Sequence, residues 1–286
     1  MIKKIIFTIC AVAVFAACSL ANKKEKTEQQ QNPIGEYKIF VLNDVAREGN
    51  PDILIAVAAD TVEKYRPEGG YLSAINAFLV QRGDSNILFD TGIGQKLVEN
   101  LNTYGVAPEN VHTIFITHCH GDHIGGLLAN DKALFINAKL YINRIEYDYW
   151  LKEQNALFLK VIDRYKTQLE IFDIQEAEKT LLPDIQAVAA YGHTPGHTMY
   201  LLGNSAKTLI WGDIMHLLPI QFAHPEYSVT YDVNPEEAAL TRFKAITYAI
   251  KNDAQIAGMH IPNSGFVGKL KAIQPEKSWT FEYLEK

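Results

Sequence analysis

At 286 residues the chain is long enough for one large domain or two small ones, and such a length buries about three quarters of its unfolded surface without needing disulfide staples. Hydrophobic residues make up 48% and charged residues 21%, which excludes a disordered or fibrous chain. Lysine plus arginine number 27 against 33 acidic residues, a net charge of −6, so nothing offers a nucleic acid a basic face.

Lys3 and Lys4 precede an apolar run from Ile5 to Ala17 that is too short for the roughly 20 residues of a membrane-spanning helix. This is the layout of a secretory signal. Phe15-Ala16-Ala17-Cys18 resembles a bacterial lipobox, in which the Cys18 thiol takes a lipid and becomes the N-terminus. Ser19-Leu20-Ala21 offers small residues for soluble secretion instead. Residues 1–18 are therefore expected to be a signal peptide, 19–35 a flexible polar tether and 36–286 a single domain. The expected location is the periplasm or a membrane surface, the latter through Cys18 alone, with soluble secretion as the alternative. Without Lys3 and Lys4 the body carries −8. The cysteines are Cys10, Cys18 and Cys119, which leaves the body no disulfide framework.

In chain order, strand-like runs fall at Tyr37–Leu42, Ala77–Gln81, Ile87–Phe89, Thr113–Thr117, Lys139–Ile142, Ile185–Tyr191, Tyr200–Leu202 and Thr208–Trp211. Helix-like periodicity covers Gly94–Leu101, Arg144–Leu169 and Pro235–Ile250. The last has Asn234 as N-cap, Pro235 and Glu236-Glu237 in its first turn, and Leu240, Phe243, Ile246 and Ile250 as one apolar stripe. Strands interleaved with helices predict a layered α/β fold, and no repeat or internal linker divides the body.

Metal-competent residues concentrate in Thr117-His118-Cys119-His120-Gly121-Asp122-His123-Ile124-Gly125-Gly126, directly after a strand-like run. Alternation along an extended chain points His118 and His120 to one side and Cys119 to the other. Gly121 then lets the chain turn sharply, so that Asp122 and His123 converge on the same space. Three imidazoles and a carboxylate this close together suit a borderline metal such as Zn²⁺. Gly192-His193-Thr194-Pro195-Gly196-His197-Thr198 follows Ile185–Tyr191, Trp211-Gly212-Asp213 ends another apolar run, and Gly258-Met259-His260 ends Gln255–Met259. Four times an apolar strand runs out at a metal-competent side chain, and in layered α/β folds such ends can meet at one edge.

In this order, and across nearly all of 36–286, these motifs resemble the metallo-β-lactamase superfamily of dinuclear hydrolases. The resemblance implies an αββα sandwich with two Zn²⁺, or other divalent transition metals, at one rim. Carried over position by position, it implies His118, His120 and His193 on one metal, Asp122, His123 and His260 on the second, and Asp213 bridging both. It also implies attack by metal-generated hydroxide on a carbonyl or phosphoryl centre, with Asp122 as proton shuttle. Asp90, in Leu88-Phe89-Asp90-Thr91-Gly92, matches a family motif and would orient a ligand histidine. His197 reads as a brace for its loop, Cys119 as a buried small hydrophobe and Trp211 as core, while His112 and His224 receive no role.

Fold alone does not choose among the chemistries of such a superfamily. Zinc β-lactamases with a cysteine ligand are disfavoured because Cys119 already sits between two ligand positions, and other β-lactamase branches lack a bridging aspartate such as Asp213. A nuclease would want a basic groove. Glyoxalase II usually has His-Glu-Tyr at its last ligand, where this chain has His260-Ile261-Pro262. What remains is similar to methyl parathion hydrolase and the N-acyl-homoserine lactonases, through Gly192–Thr198, through Trp211-Gly212-Asp213-Ile214-Met215-His216 and through Gln221-Phe222. Many lactonases carry a tyrosine where His216 stands; His216 either donates to the substrate oxygen, which would make it catalytic with Asp122, or packs beneath the metals. Tyr147, Tyr149, Trp150, Leu157 and Phe158 form either a substrate lid over the rim or ordinary core. The expectation is a lactonase or carboxylic esterase acting on a small molecule with an apolar acyl chain. A phosphotriesterase comes next, then a β-lactamase, with a non-catalytic zinc-binding lipoprotein as the reading from another class.

Overall fold

The computed structural model describes residues 32–34, 37–274 and 278–281. The expected signal peptide, Cys18 and the expected tether up to residue 31 lie outside the described residues. Residues 32–34 are not tether: β1 (Asn32–Ile34) pairs antiparallel with the start of β2 (Tyr37–Glu48).

The first half continues with α1 (Ala59–Lys64), β3 (Leu72–Arg82), β4 (Ser85–Phe89), α2 (Leu97–Thr103), β5 (Thr113–Phe115), α3 (Gly121–Ile124) and a hairpin of β6 (Leu128–Ala129) and β7 (Lys132–Ala133). It closes with β8 (Lys139–Asn143), α4 (Arg144–Lys152), α5 (Ala156–Arg164) and β9 (Leu169–Phe172). Its sheet runs β1-β2-β3-β4-β5-β8-β9, antiparallel as far as β4 and parallel from there on. The second half is β10 (Glu178–Leu182), β11 (Ile185–Ala189), β12 (Thr198–Leu202), β13 (Lys207–Ile210), α6 (Leu218–Ala223), α7 (Pro235–Lys251), β14 (Ala254–Ala257), β15 (Phe266–Gln274) and β16 (Ser278–Phe281). Its strands pair in chain order, and only β13 and β14 run parallel.

Period-two alternation explains the layers. Tyr37 and Ile39 of β2 and Phe78 and Val80 of β3 enter a core shared with Ile185, Tyr200 and Ile210 of the second sheet. Their neighbours Phe40, Leu42, Ala77 and Leu79 face outward, against Leu97 and Leu101 of α2 and Phe158 and Val161 of α5. On the far side, Leu209 and Ile256 meet Ala245, Ile246 and Ala249 of α7. The result is the expected αββα sandwich. Each large apolar side chain so buried contributes about 1.5–3 kcal/mol, which offsets the cost of a rim crowded with buried polar groups.

Three expectations shift in position. The helix-like stretch 144–169 is two helices, because Asn155 caps α5 by accepting from Phe158 N at 3.0 Å and Gln154 turns the chain with φ +53°. The strand Thr113–Thr117 stops at Phe115, since the Thr117 amide leaves the ladder for the Asp90 carboxylate. Asn234 does cap α7, but Leu240 and Phe243 face outward at 61% and 39% exposure. The face that α7 buries is Ala238, Thr241, Arg242, Ala245, Ile246 and Ala249, whose small residues let the helix lie close on the sheet.

Candidate metal centre at the sandwich rim

The strand ends that the sequence marked do meet at one rim. After β5 the chain bends at Thr117, and α3 begins at Gly121 with His120 in the N-cap position. Gly121 is not the sterically required residue expected: its φ is not positive, and a Cβ there would make only ordinary contact with Leu157. The close approaches fall elsewhere. At Gly212, with φ +62°, a Cβ would stand 2.4 Å from His197 Nε2, and this turn brings the Asp213 amide onto that ring nitrogen at 3.0 Å.

His118 Nε2, His120 Nδ1 and His193 Nε2 form a triangle with sides of 2.9, 3.0 and 3.2 Å. Three nitrogens cannot all be satisfied as mutual hydrogen bonds, because each carries either one proton or one lone pair toward the centre. The spacing is that of ligands around an ion with bonds of about 2.0–2.1 Å. Burial, helped by the neighbouring imidazoles, holds the His118 pKa well below the ordinary histidine value and that of His120 at about 3, so both rings present lone pairs.

Asp122, His123 and His260 make a second group, with Asp122 oxygens 3.8 Å from His123 Nε2 and 3.7 Å from His260 Nε2. Asp213 lies between the groups. Its Oδ2 is 2.9 Å from His260, 3.4 Å from His193 and 3.7 Å from His118, and its Oδ1 is 3.3 Å from His123 Nε2. Among the described residues, His123 Nε2 and Asp213 Oδ1 are buried with no hydrogen-bond partner, which suits a cation between them. Burial resists charge on His123, but Asp213, Asp90 and Asp122 outweigh it and raise its pKa well above normal. His260 shifts the same way through Asp213. The donor set therefore fits two divalent cations.

The orientation of each ring is set from behind. His123 Nδ1 donates to Asp90 at 2.7 Å, His193 Nδ1 to Asp232 at 2.8 Å, and His260 Nδ1 to Ala74 O at 2.8 Å. His118 Nδ1 meets the Thr117 hydroxyl at 3.1 Å, and that hydroxyl donates to Asp90 at 2.7 Å. In the neutral ring each of these bonds occupies Nδ1 and leaves the Nε2 lone pair facing the centre. Asp90 thus stands where a ligand-orienting residue was expected, held in the left-handed region with φ +57°. His197 braces its loop, with Nδ1 on Ala190 O and Nε2 under Asp213. Cys119 lies in the outer core and Trp211 in the core under α7.

His216 stands beside the second group, with Nε2 3.2 Å from Asp213 Oδ2 and its ring stacked on His260 at 4.7 Å. Burial lowers its pKa to about 4, so the ring is neutral. In the tautomer whose Nε2 proton is shared with Asp213, the buried Nδ1 is an acceptor without a hydrogen-bond partner among the described residues. The aromatic segment is core and not a lid. Trp150 and Phe158 are buried, and Tyr147, Tyr149 and Leu157 pack against them. Trp150 also sets its edge 5.4 Å from the His120 ring.

Three buried acidic residues escaped the sequence reading. Asp232 and Glu146 join metal-competent loops to helices; Asp44 occupies a bulge in β2 and accepts from the amides of Ile93, Gly94 and Lys96. A signal existed for Glu146, an acidic residue inside an apolar-periodic run just after a strand. None existed for Asp232 in its irregular loop.

Beside His216 lies a cavity of about 160 Å³ walled by Arg47, Asn50, Ile53, Ser73 and Tyr231. A second cavity, of about 290 Å³, shares Arg47, Glu48 and Ser73 with it and adds Leu72 and Pro262.

A model described as the metallo-beta-lactamase superfamily matches residues 70–256. The crystal structure of a hydrolase, AbOPH, in the beta lactamase superfamily is similar with TM-score 0.78 and 28% identity, covering 92% of this chain and 99% of that one. AidC, described as a dizinc quorum-quenching lactonase in complex with a product, is similar with TM-score 0.78 and 26% identity, covering 90% and 98%. An N-acyl homoserine lactonase of Bacillus sp. is 28% identical over 107 residues, 37% of this chain and 39% of its own length. That of Bacillus cereus is 23% identical over 159 residues, 46% and 60%. The chain thus spans 39% to 60% of the length of these curated relatives.

Proposed function

This chain belongs to the metallo-beta-lactamase superfamily, and on that premise we propose that it is a dinuclear, zinc-dependent hydrolase opening lactones or esters that carry an apolar acyl chain. The observation that carries the reading is the pair of orphaned buried atoms, His123 Nε2 and Asp213 Oδ1, amid seven converging side chains. His118, His120 and His193 would hold one ion and Asp122, His123 and His260 the other, with Asp213 shared. Ions so held supply Lewis acidity at the scissile carbonyl and bring the pKa of water to about 7.

The remaining work falls to the chain's own groups. Asp122 reaches the rim, with its side chain 28% exposed, and although burial opposes charge on it, His123 keeps it a carboxylate. It takes a proton there and passes it to the departing alkoxide. His216 steadies Asp213 through Nε2 and offers Nδ1 as an acceptor. The cavity beside it matches the roughly 150 Å³ that accommodates a benzene ring, so a small cyclic head fits there. An acyl chain then extends along the adjoining cavity over Leu72 and Pro262. The likeness to AidC and to the Bacillus lactonases supports the same substrate class.

The test is a hydrolysis screen with metal content measured on the same sample. The expected result is about two ions per chain, with an acyl-homoserine lactone turned over faster than an aryl ester, a phosphotriester or a cephalosporin. Turnover of the phosphotriester or the cephalosporin alone would overturn the substrate. Loosely held ions with no turnover would replace the enzyme with a metal carrier. Export belongs to the same proposal, on the basis of Lys3-Lys4, the Ile5–Ala17 run and Cys18. Labelled palmitate is expected on the wild type and absent from Cys18→Ser; equal labelling of both would remove Cys18 as the anchor.

A further inference from the structure

Glu146 lies at the start of α4, is 1% exposed and ligates nothing in the proposed site, yet four donors converge on its carboxylate. Oε1 accepts from the Cys119 amide at 2.8 Å and from Trp150 Nε1 at 2.6 Å. Oε2 accepts from the Thr194 hydroxyl at 2.7 Å and from the Gly196 amide at 3.0 Å. Cys119 is the residue between His118 and His120, and Thr194 follows His193. One buried carboxylate therefore fastens the two loops that supply all three imidazoles of the first group, and these loops belong to different sheets.

The surroundings are built for this contact. At Gly196 a Cβ would stand 2.1 Å from the Glu146 backbone nitrogen, so the 192–198 loop is pressed onto the first turn of α4, and only glycine allows it. Trp150, one turn further along the same helix face, both donates to Glu146 and edges against the His120 ring. Asn143, the N-cap of α4, donates to the Thr198 hydroxyl at 3.1 Å and so ties the far end of the same loop. The side chains of Thr117, Asp90 and Asp232 orient individual rings; the Thr117 carbonyl also accepts from the Thr198 amide at 2.9 Å, at the far end of the 192–198 loop, whereas Glu146 joins the segments next to the imidazoles themselves. Four donors and no cationic side chain surround Glu146, so what holds the carboxylate is the placement of the two loops and not a charge partner, and removing it would strand two buried backbone amides, an indole N–H and a hydroxyl.

We propose that Glu146 is the positioning residue of the first metal group: it sets the distance between the His118/His120 loop and the His193 loop, and so tunes the affinity of that group and not of the second. The proposal rests on the metal reading above. Glu146→Gln keeps the volume but turns one pair of accepting positions into an N–H₂ that faces backbone amide or indole donors. The expected result is one ion bound about 10–100-fold more weakly, the other unchanged, measured by competitive chelator titration of the whole chain loaded with Zn²⁺. Asp122→Ala supplies the mirror case, weakening the other ion; the double variant loses both. Thr194→Val removes one donor while the carboxylate stays, and is expected to weaken the same ion by less. It also keeps the test open if Glu146→Gln does not fold.

Equal weakening of both ions by Glu146→Gln, or wild-type affinity for both, would overturn the proposal. Amide hydrogen exchange in the metal-free chain separates this idea from the reading it rests on. If the wild type takes up no metal, the metal reading fails on its own. Faster exchange at Cys119 and Gly196 in Glu146→Gln would then still support the clamp, and unchanged exchange would sink it.

Discussion

The two groups of ligating side chains face the same rim but solve different electrostatic problems. In the first, three imidazoles press to within 2.9–3.2 Å of one another, and burial keeps His118 and His120 neutral. In the second, Asp122, Asp213 and Asp90 surround His123 and pull it toward its charged form. A group rich in carboxylates can hold protons in place of a metal ion, whereas neutral nitrogens at contact distance have no substitute for the cation. Asp213 belongs to both groups and couples them.

Breaking that shared member has the largest expected effect. Asp213→Ala is expected to lower hydrolysis by more than the about 100-fold seen for groups that merely orient ligands, with loss of at least one ion. Full metal content and full rate would remove Asp213 from the site. A finer test separates the groups. Asp232→Asn acts on His193 and is expected to weaken the first ion alone by about 10–100-fold in a chelator titration, whereas Asp90→Asn acts on His123 directly and on His118 only through Thr117, and is expected to weaken the second ion more than the first. If both variants weakened the same ion most, the division into two groups would collapse.

The smallest effect concerns acid. His197 is buried, with its pKa held at about 3 by burial and by the neighbouring His193. The unfolded ring takes its proton near the ordinary 6.5, while the folded ring does not until about pH 3. The metal-free protein therefore loses stability from this residue as pH falls through that window. His197→Gln keeps an acceptor for the Asp213 amide and cannot titrate. It is expected to lower Tm at pH 7 by about 2–4 °C, and to flatten the decline on acidification. Parallel curves for wild type and variant would take His197 out of the acid response.

How much could be read in advance follows from how local each feature is. His118, His120, Asp122 and His123 fall within six residues between the end of β5 and α3, so their closeness in sequence alone is enough to mark one site. His193, Asp213 and His260 are far apart in sequence but each follows an apolar run, so the end of a strand marks them. Glu146 and Asp232 carry no such mark, because what makes them matter is a partner on another element. The α7 stripe misled for a related reason. Helical spacing shows that Leu240 and Phe243 share a side, but only the close approach of the helix to its sheet decides that Ala245, Ala249 and Arg242 are the side that goes in.

Arg242 itself has a further consequence. From inside α7 it donates to Ile214 O at 2.7 Å and Pro225 O at 2.6 Å and faces Asp232 at 3.6 Å, pinning at three points the stretch that carries His216, Gln221 and Tyr231. A stretch fastened from beneath can change its middle while its ends stay where they are. The frame that holds the ions is thereby kept apart from the exposed part of the cavity wall, and a library at Tyr231, which lines that cavity and is half exposed, explores new substrates without surrendering the ions.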